Sequence, residues 1–143
     1  MLSSLKTVTL AFAAILLVAG TASAERPANI ARTFWTLQTN TDVVQLFIAT
    51  QGGPGAPGAT NCRHIDGDIG NVAHIRGWYC PATGRIHFVH RNLGSGDAVR
   101  IFTGNVSDVV AGQPLSMAGT MTVLISAFGD LGEYNFSATV DPE

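Results

Sequence analysis

The sequence has few charges, almost no lysine and only two cysteines. Charged residues make up 13% of its 143 residues, and its only lysine is Lys6. Residues 25–143 therefore carry seven arginines against ten carboxylates. A nearly neutral chain of this kind gives no sign of a basic surface for nucleic acid, so we expect no nucleic-acid partner.

The sequence also lacks the short motifs of common catalytic and metal sites. It has no G-x-S-x-G elbow, no H-E-x-x-H and no Cys/His cluster at zinc spacing. His64, Asp66 and Asp68 share one face of a predicted strand and could hold a metal, although a solvated polar face explains the same pattern. We expect no metal, no cofactor and no enzyme activity; the remaining catalytic alternative is a hydrolase or isomerase that uses His90.

The first 24 residues are typical of a secretory signal peptide. Lys6 gives a weakly positive start, residues 10–19 form an apolar run too short for a good membrane span, and Ala22-Ser23-Ala24 is a small-residue cleavage site. We expect a secreted or periplasmic protein without membrane contact after cleavage. Residues 25–143 are long enough for one domain with a packed core.

Both cysteines, Cys62 and Cys80, lie in this exported part. In an oxidising compartment a disulfide between them is the default, whereas a reactive thiol pair would lack the C-x-x-C spacing. The bridge would close a loop of about 18 residues and stabilise the domain by roughly 3 kcal/mol.

Nothing in residues 25–143 has the periodicity of a long amphipathic helix. Apolar and polar residues alternate in short blocks, and a period of two sends alternate side chains to opposite faces of a sheet. Eight evenly spaced blocks suggest an antiparallel barrel or sandwich, and they fit an all-β, eight-stranded antiparallel up-and-down barrel able to hold one small ligand. The predicted strands are 32–38, 43–50, 62–69, 73–79, 84–90, 99–106, 115–124 and 132–139.

Three turn signals separate these blocks most clearly. Residues 81–84 predict a tight reversal, and residues 92–97 predict a flexible hairpin tip. The glycine- and proline-rich residues 52–58 predict a mobile loop, which either borders a ligand mouth or merely spaces two strands.

Two polar side chains, His90 and Arg100, fall on faces predicted to line the barrel interior. Arginine recognises carboxylate or phosphate through a planar fork, so the pair predicts a small anionic or aromatic ligand. Alternatively, Arg100 pairs with an acid such as Asp66 or Asp68, or points outward because the strand phase is off by one residue. The predicted ligand-binding residues are Trp35, Phe88, His90, Arg100, Phe102 and Tyr134.

Seven short motifs follow one another along residues 25–143. They are Phe34-Trp35-Thr36-Leu37, Leu46-Phe47-Ile48-Ala49-Thr50, Ile65-Asp66-Gly67-Asp68-Ile69, Ile75-Arg76-Gly77-Trp78-Tyr79, Phe88-Val89-His90-Arg91-Asn92, Ala98-Val99-Arg100-Ile101-Phe102-Thr103-Gly104-Asn105 and Gly132-Glu133-Tyr134-Asn135-Phe136. Their order and spacing resemble the avidin and streptavidin family. The resemblance implies an avidin-like barrel, a ligand site in its lumen, and a homo-dimer or tetramer.

The biotin-contacting positions of that family are mostly different in this chain. His90 stands where the family has its fifth-strand tryptophan. Ala98, Arg100 and Phe102 stand in place of its sixth-strand serine, threonine and tryptophan, and Tyr134 in place of its aspartate. Each missing hydrogen-bond partner of a cyclic urea costs about 1–3 kcal/mol. The resemblance therefore implies an avidin-like fold and a ligand site in the lumen, but it does not imply that the ligand is biotin.

Two functions remain as hypotheses. The first is an exported protein that binds a small ligand in the barrel lumen. The second is a structural or protein-interaction module whose lumen is filled by its own side chains and whose outer faces bind a protein. The filling of the lumen distinguishes them.

Overall fold

The computed structural model describes residues 25–54, 61–92 and 98–142. The predicted signal peptide, most of the glycine-rich loop and the tip of the hairpin after the fifth strand lie outside the described residues. In the described part, no helix is long and apolar enough to cross a membrane.

Eight strands form a closed barrel, as predicted. Each strand pairs antiparallel with its neighbours in chain order, and the last strand pairs with the first. The strands are β1 (Thr33–Gln38), β2 (Val43–Pro54), β3 (Arg63–Ile69), β4 (Ala73–Cys80), β5 (Arg85–Asn92), β6 (Ala98–Val106), β7 (Ser116–Ile125) and β8 (Gly132–Val140).

Strand β2 continues further than the sequence predicts. Gln51 pairs with Ile65 and Gly52 pairs with His64, so the loop predicted to begin at residue 52 is wrong for its first residues. The register shifts twice along β2, and Gly53 adopts φ 66° beside the second shift. Such bulges let a strand keep its pairing through glycine positions that read as a turn.

The up-and-down topology places the connections at two ends of the barrel. The upper end is formed by residues 39–42, 70–72 and 126–131. The lower end is formed by residues 81–84 and 107–115 and by the N-terminal segment, residues 25–32, which precedes β1.

The N-terminal segment closes the lower end. Its Ile30 is fully buried in the core. The Tyr79 hydroxyl donates a 2.7 Å hydrogen bond to the Pro27 carbonyl, and burial raises the pKa of Tyr79 to about 12. The Gln51 side chain accepts a hydrogen bond from the Ile30 amide and donates one to the Ala28 carbonyl, each 2.9 Å long.

The predicted disulfide and the predicted tight reversal also belong to the lower end. Cys62 and Cys80 are bonded to each other. The amides of Thr83 and Gly84 donate hydrogen bonds to the Cys80 carbonyl, and Gly84 adopts φ 72°, a conformation that glycine reaches without steric cost.

The side chains of the strands fill most of the lumen. Because fully buried side chains have no surface that water can reach from outside or from an internal void, the space between them is packed. The side chains with 0% exposure on strand faces turned to the lumen are Trp35, Leu37, Leu46, Ile48, Ile65, Ile75, Tyr79, Ile86 and Phe88.

Candidate functional site

His90 and Arg100 lie side by side near the upper end of the barrel. They are direct cross-strand partners on β5 and β6, on the faces that also carry the buried Phe88 and Phe102. His90 is 6% exposed and Arg100 is half-buried. The predicted strand phase is therefore correct at both positions.

The two acids named as alternative partners of Arg100 lie on the other side of the barrel wall. Asp66 and Asp68 alternate with the buried residues of β3 and face outward. The Asp66 carboxylate is instead contacted by His64 at 2.9 Å, by Arg76 at 3.1 Å and by His74 at 3.3 Å. In the described ranges, no group of His, Cys, Asp and Glu side chains is arranged to hold a metal ion.

His90 and Arg100 differ in charge, and each has a buried nitrogen atom. Burial, and to a smaller extent the positive charge of Arg100, lower the pKa of His90 to about 4. His90 is thus neutral at neutral pH, whereas the Arg100 guanidinium keeps its charge. Among the described residues, neither the His90 Nδ1 atom nor the Arg100 Nε atom has a hydrogen-bond partner, although both atoms are buried.

Three phenylalanine rings form the floor below this pair. Phe88 and Phe102 stack with ring centroids 4.7 Å apart, and Phe136 meets Phe102 edge-on at 5.2 Å. Phe136 was not among the predicted site residues. The alternation of β8, with Tyr134 and Ala138 on the same face, is the signal that could have identified it.

Tyr134 and Asp130 lie at the rim of the upper end. Tyr134 is half-buried, and its hydroxyl donates a 3.4 Å hydrogen bond to the Leu131 carbonyl. A hydrogen bond from Ser126, and more weakly the charge of Arg100, hold the pKa of Asp130 below its ordinary value. Arg100 nevertheless forms no ion pair with a carboxylate of the described chain.

Trp35 belongs to the lower end rather than to this group. Its indole N–H donates a 2.7 Å hydrogen bond to the Thr33 hydroxyl, and that hydroxyl is hydrogen-bonded to the Ile30 carbonyl. Of the six predicted ligand-binding residues, the fold thus gathers Phe88, His90, Arg100, Phe102 and Tyr134 toward the upper end. Trp35 packs beside the N-terminal segment.

Exposed apolar side chains surround the upper end. Six of the nine large apolar side chains that are exposed in the described part lie there, and Phe128, the most exposed, is 89% accessible. Large exposed apolar patches mark contact sites for ligands or proteins, and this concentration of apolar side chains makes the upper end a candidate contact surface. The six are Val43, Val72, Leu124, Ile125, Phe128 and Leu131.

Surface pockets occur outside the lumen. Pockets of about 490 Å³ and 590 Å³ flank Asp141 on the outer side of β1. A third pocket, of about 450 Å³, lies between the end of β1 and the first half of β8.

Comparisons with family models, curated proteins and solved structures found no match. The likeness to avidin and streptavidin therefore stays a prediction from the order of the sequence motifs.

Proposed function

We propose that this protein is an exported binding protein whose site is the upper end of the barrel. Its ligand is a small anion with an apolar or aromatic body. The observation that carries the proposal is the Arg100–His90 pair, in which a half-buried guanidinium lies beside a buried imidazole and each has a buried nitrogen atom without a hydrogen-bond partner among the described residues.

The need for an acceptor favours an anion. A buried polar nitrogen without a hydrogen-bond partner costs about 1–3 kcal/mol, and more when the group is charged. A carboxylate or a phosphate oxygen would satisfy the Arg100 guanidinium through charge-assisted hydrogen bonds. The neutral His90 ring has one N–H donor and one acceptor nitrogen, so it can bind the same ligand without adding charge.

The surroundings of the pair favour an apolar or aromatic body of limited size. Phe102 forms the floor, Tyr134 stands at one side, and the exposed Phe128 and Leu131 belong to the rim. Because the lumen below is packed, the ligand occupies a shallow site. We therefore do not expect biotin as the natural ligand. The disulfide supports export, since such bonds persist in oxidising compartments.

Calorimetry with benzoate, benzyl alcohol, inorganic phosphate and biotin tests this proposal. We expect benzoate to bind, and benzyl alcohol, which lacks the charge, to bind about tenfold more weakly or not at all. Arg100→Gln should abolish benzoate binding. Arg91→Gln is the matched control, because Arg91 is adjacent to His90 in the chain but exposed on the outer face.

Two outcomes would contradict the proposal. Equal benzoate affinity of the Arg100→Gln and Arg91→Gln variants would show that Arg100 does not recognise the anion. A protein that retains no small molecule in native mass spectrometry and binds no tested anion would also contradict it. The same mass spectra would test the predicted dimer or tetramer.

The packed lumen favours a second candidate, a protein-interaction module. In that case the apolar side chains around the upper end contact the partner protein directly. Partner binding would then be weakened by Phe128→Ser and unchanged by Arg100→Gln, whereas anion binding should be lost in Arg100→Gln. The catalytic alternative would require an activity that His90→Gln abolishes.

A further inference from the structure

The two sides of β8 are paired very unequally. On one side, β7 pairs with β8 from Gly132 through Thr139. On the other side, the pairing with β1 runs only from Ser137 through Val140. β1 ends at Gln38, opposite Ser137, and the chain turns back toward β2. In the described part, residues 132–136 therefore have no strand beside them on the side of β1.

Two hydrogen bonds identify which backbone groups face this open side. The Asp141 amide donates to the Phe34 carbonyl of β1, and the Val140 amide donates to the Leu115 carbonyl next to β7. Along an antiparallel strand, successive residues direct their backbone groups to alternate sides. Glu133 and Asn135 therefore direct their N–H and C=O groups to the open side.

A pocket lies along this open edge. It has a volume of about 450 Å³ and runs between the end of β1 and β8. Its polar lining consists of uncharged amide and hydroxyl groups, which can bond to peptide groups as donors or acceptors. The lining residues are Gln38, Thr39, Asn40, Tyr134, Asn135, Phe136 and Ser137.

The charges next to the edge are negative. Glu133 is exposed on β8 itself, and Asp42 is exposed in the turn that follows β1. The residues that line the pocket carry no charge to balance them. The edge is thus complementary to an extended segment that carries a positive charge.

We propose that the open edge of β8 binds an extended peptide segment of a partner protein, with a basic side chain opposite Glu133. The segment adds a short strand where β1 has ended. The backbone groups of Glu133 and Asn135 provide the affinity, and the pocket with its negative border provides the specificity, as in other complexes in which a peptide joins a sheet edge. This site adjoins the anion site, with which it shares Tyr134 and Phe136, but it depends on main-chain groups rather than on Arg100.

Asn135→Pro is the decisive variant. It removes one N–H group that faces the open side, while the hydrogen bonds to β7 are made by its neighbours Tyr134 and Phe136. Asn135→Ala is the matched control, since it removes the side chain and keeps the N–H group. Glu133→Gln tests the charge.

A displayed library of random seven-residue peptides, selected against the disulfide-bonded protein, supplies the probe. We expect enriched peptides that carry lysine or arginine. They should bind Asn135→Pro about tenfold or more weakly than Asn135→Ala, as the loss of one well-formed hydrogen bond predicts. Binding to Glu133→Gln should be reduced at low salt, and binding to Arg100→Gln should be unchanged.

Two results would overturn the proposal. One is equal binding of the selected peptides to Asn135→Pro and Asn135→Ala. The other is a selection in which no peptide is enriched over a parallel selection against Asn135→Pro. If Asn135→Pro unfolds, N-methylation of alternate peptide amides provides the equivalent test on the unaltered protein. Unimpaired binding of every methylated peptide would then refute strand addition.

Discussion

Acidification should destabilise this barrel through His90. In the folded protein the pKa of His90 is about 4, against an ordinary value of 6.5. The unfolded chain therefore takes up this proton at a higher pH than the folded chain does. Stability rises with pH wherever the unfolded state binds more protons. The contribution of His90 is thus fully present above a pH of about 6.5 and is lost as the pH falls toward about 4.

The size of the effect follows from the shift of the pKa. One pKa unit corresponds to about 1.4 kcal/mol, so this shift corresponds to about 3 kcal/mol between the two limits. For a domain that is stable by about 5–15 kcal/mol, such a loss is large. Because burial is the larger cause and Arg100 the smaller one, Arg100→Gln should recover only the smaller part of the shift.

This reasoning is tested by urea unfolding with the disulfide intact. The free energy of unfolding of the wild type and of His90→Gln is measured between about pH 7 and pH 4.5. His87 also has a lowered pKa, because of burial and of Arg85, and it contributes in the same direction. The difference between the two proteins cancels that contribution. We expect the advantage of the wild type over His90→Gln to shrink steadily on acidification. A difference in unfolding free energy that does not change with pH would refute the assignment, as would an NMR titration of His90 near its ordinary pKa.

Three further predictions concern the stability of the barrel. Gly77→Ala would place a methyl group against the backbone of β5 and should lower the free energy of unfolding by about 1–3 kcal/mol in urea titrations. In the control variant Gly52→Ala the added methyl group contacts no other atom, so its free energy of unfolding should be nearly unchanged. Tyr79→Phe removes the hydroxyl that bonds the N-terminal segment and should cost about 1–2 kcal/mol, which calorimetric melting would detect; an unchanged melting temperature would contradict the closing role of that segment. Replacing Cys62 and Cys80 together with alanine should cost roughly 3 kcal/mol, and a variant as stable as the oxidised wild type would contradict the loop-entropy argument.

The fold was largely predictable because alternation of side chains is a local property. Each strand repeats inward and outward residues at a period of two, so its existence and phase can be found without its neighbours. Alternation placed His90 and Arg100 on inward faces and left open a shift of one residue, and the structure has both on the inward face. The predicted end of β2 was wrong. Gly52 and Gly53 favour a turn locally, but pairing with β3 extends the strand past them.

The candidate site was less predictable because it depends on distances across the barrel. Alternation shows that Trp35 and Phe88 face inward, but it cannot show that inward side chains from opposite strands meet and leave no space. The role of Ile30 as a closing residue was missed for a similar reason, since it precedes the first strand and has no alternation around it. The early end of β1 beside β8 depends on barrel stagger, which no single strand encodes.

The even number of strands determines which end of the barrel faces away from a support to which the protein is attached. A chain that crosses the barrel eight times finishes at the end where it began, so Glu25 and Asp141 both belong to the lower end. A tether attached at either of these positions would hold the molecule with its upper end pointing away from the support. Both the Arg100–His90 pair and the open part of β8 would then face the surrounding medium, so either position is a suitable point for immobilisation in the binding experiments.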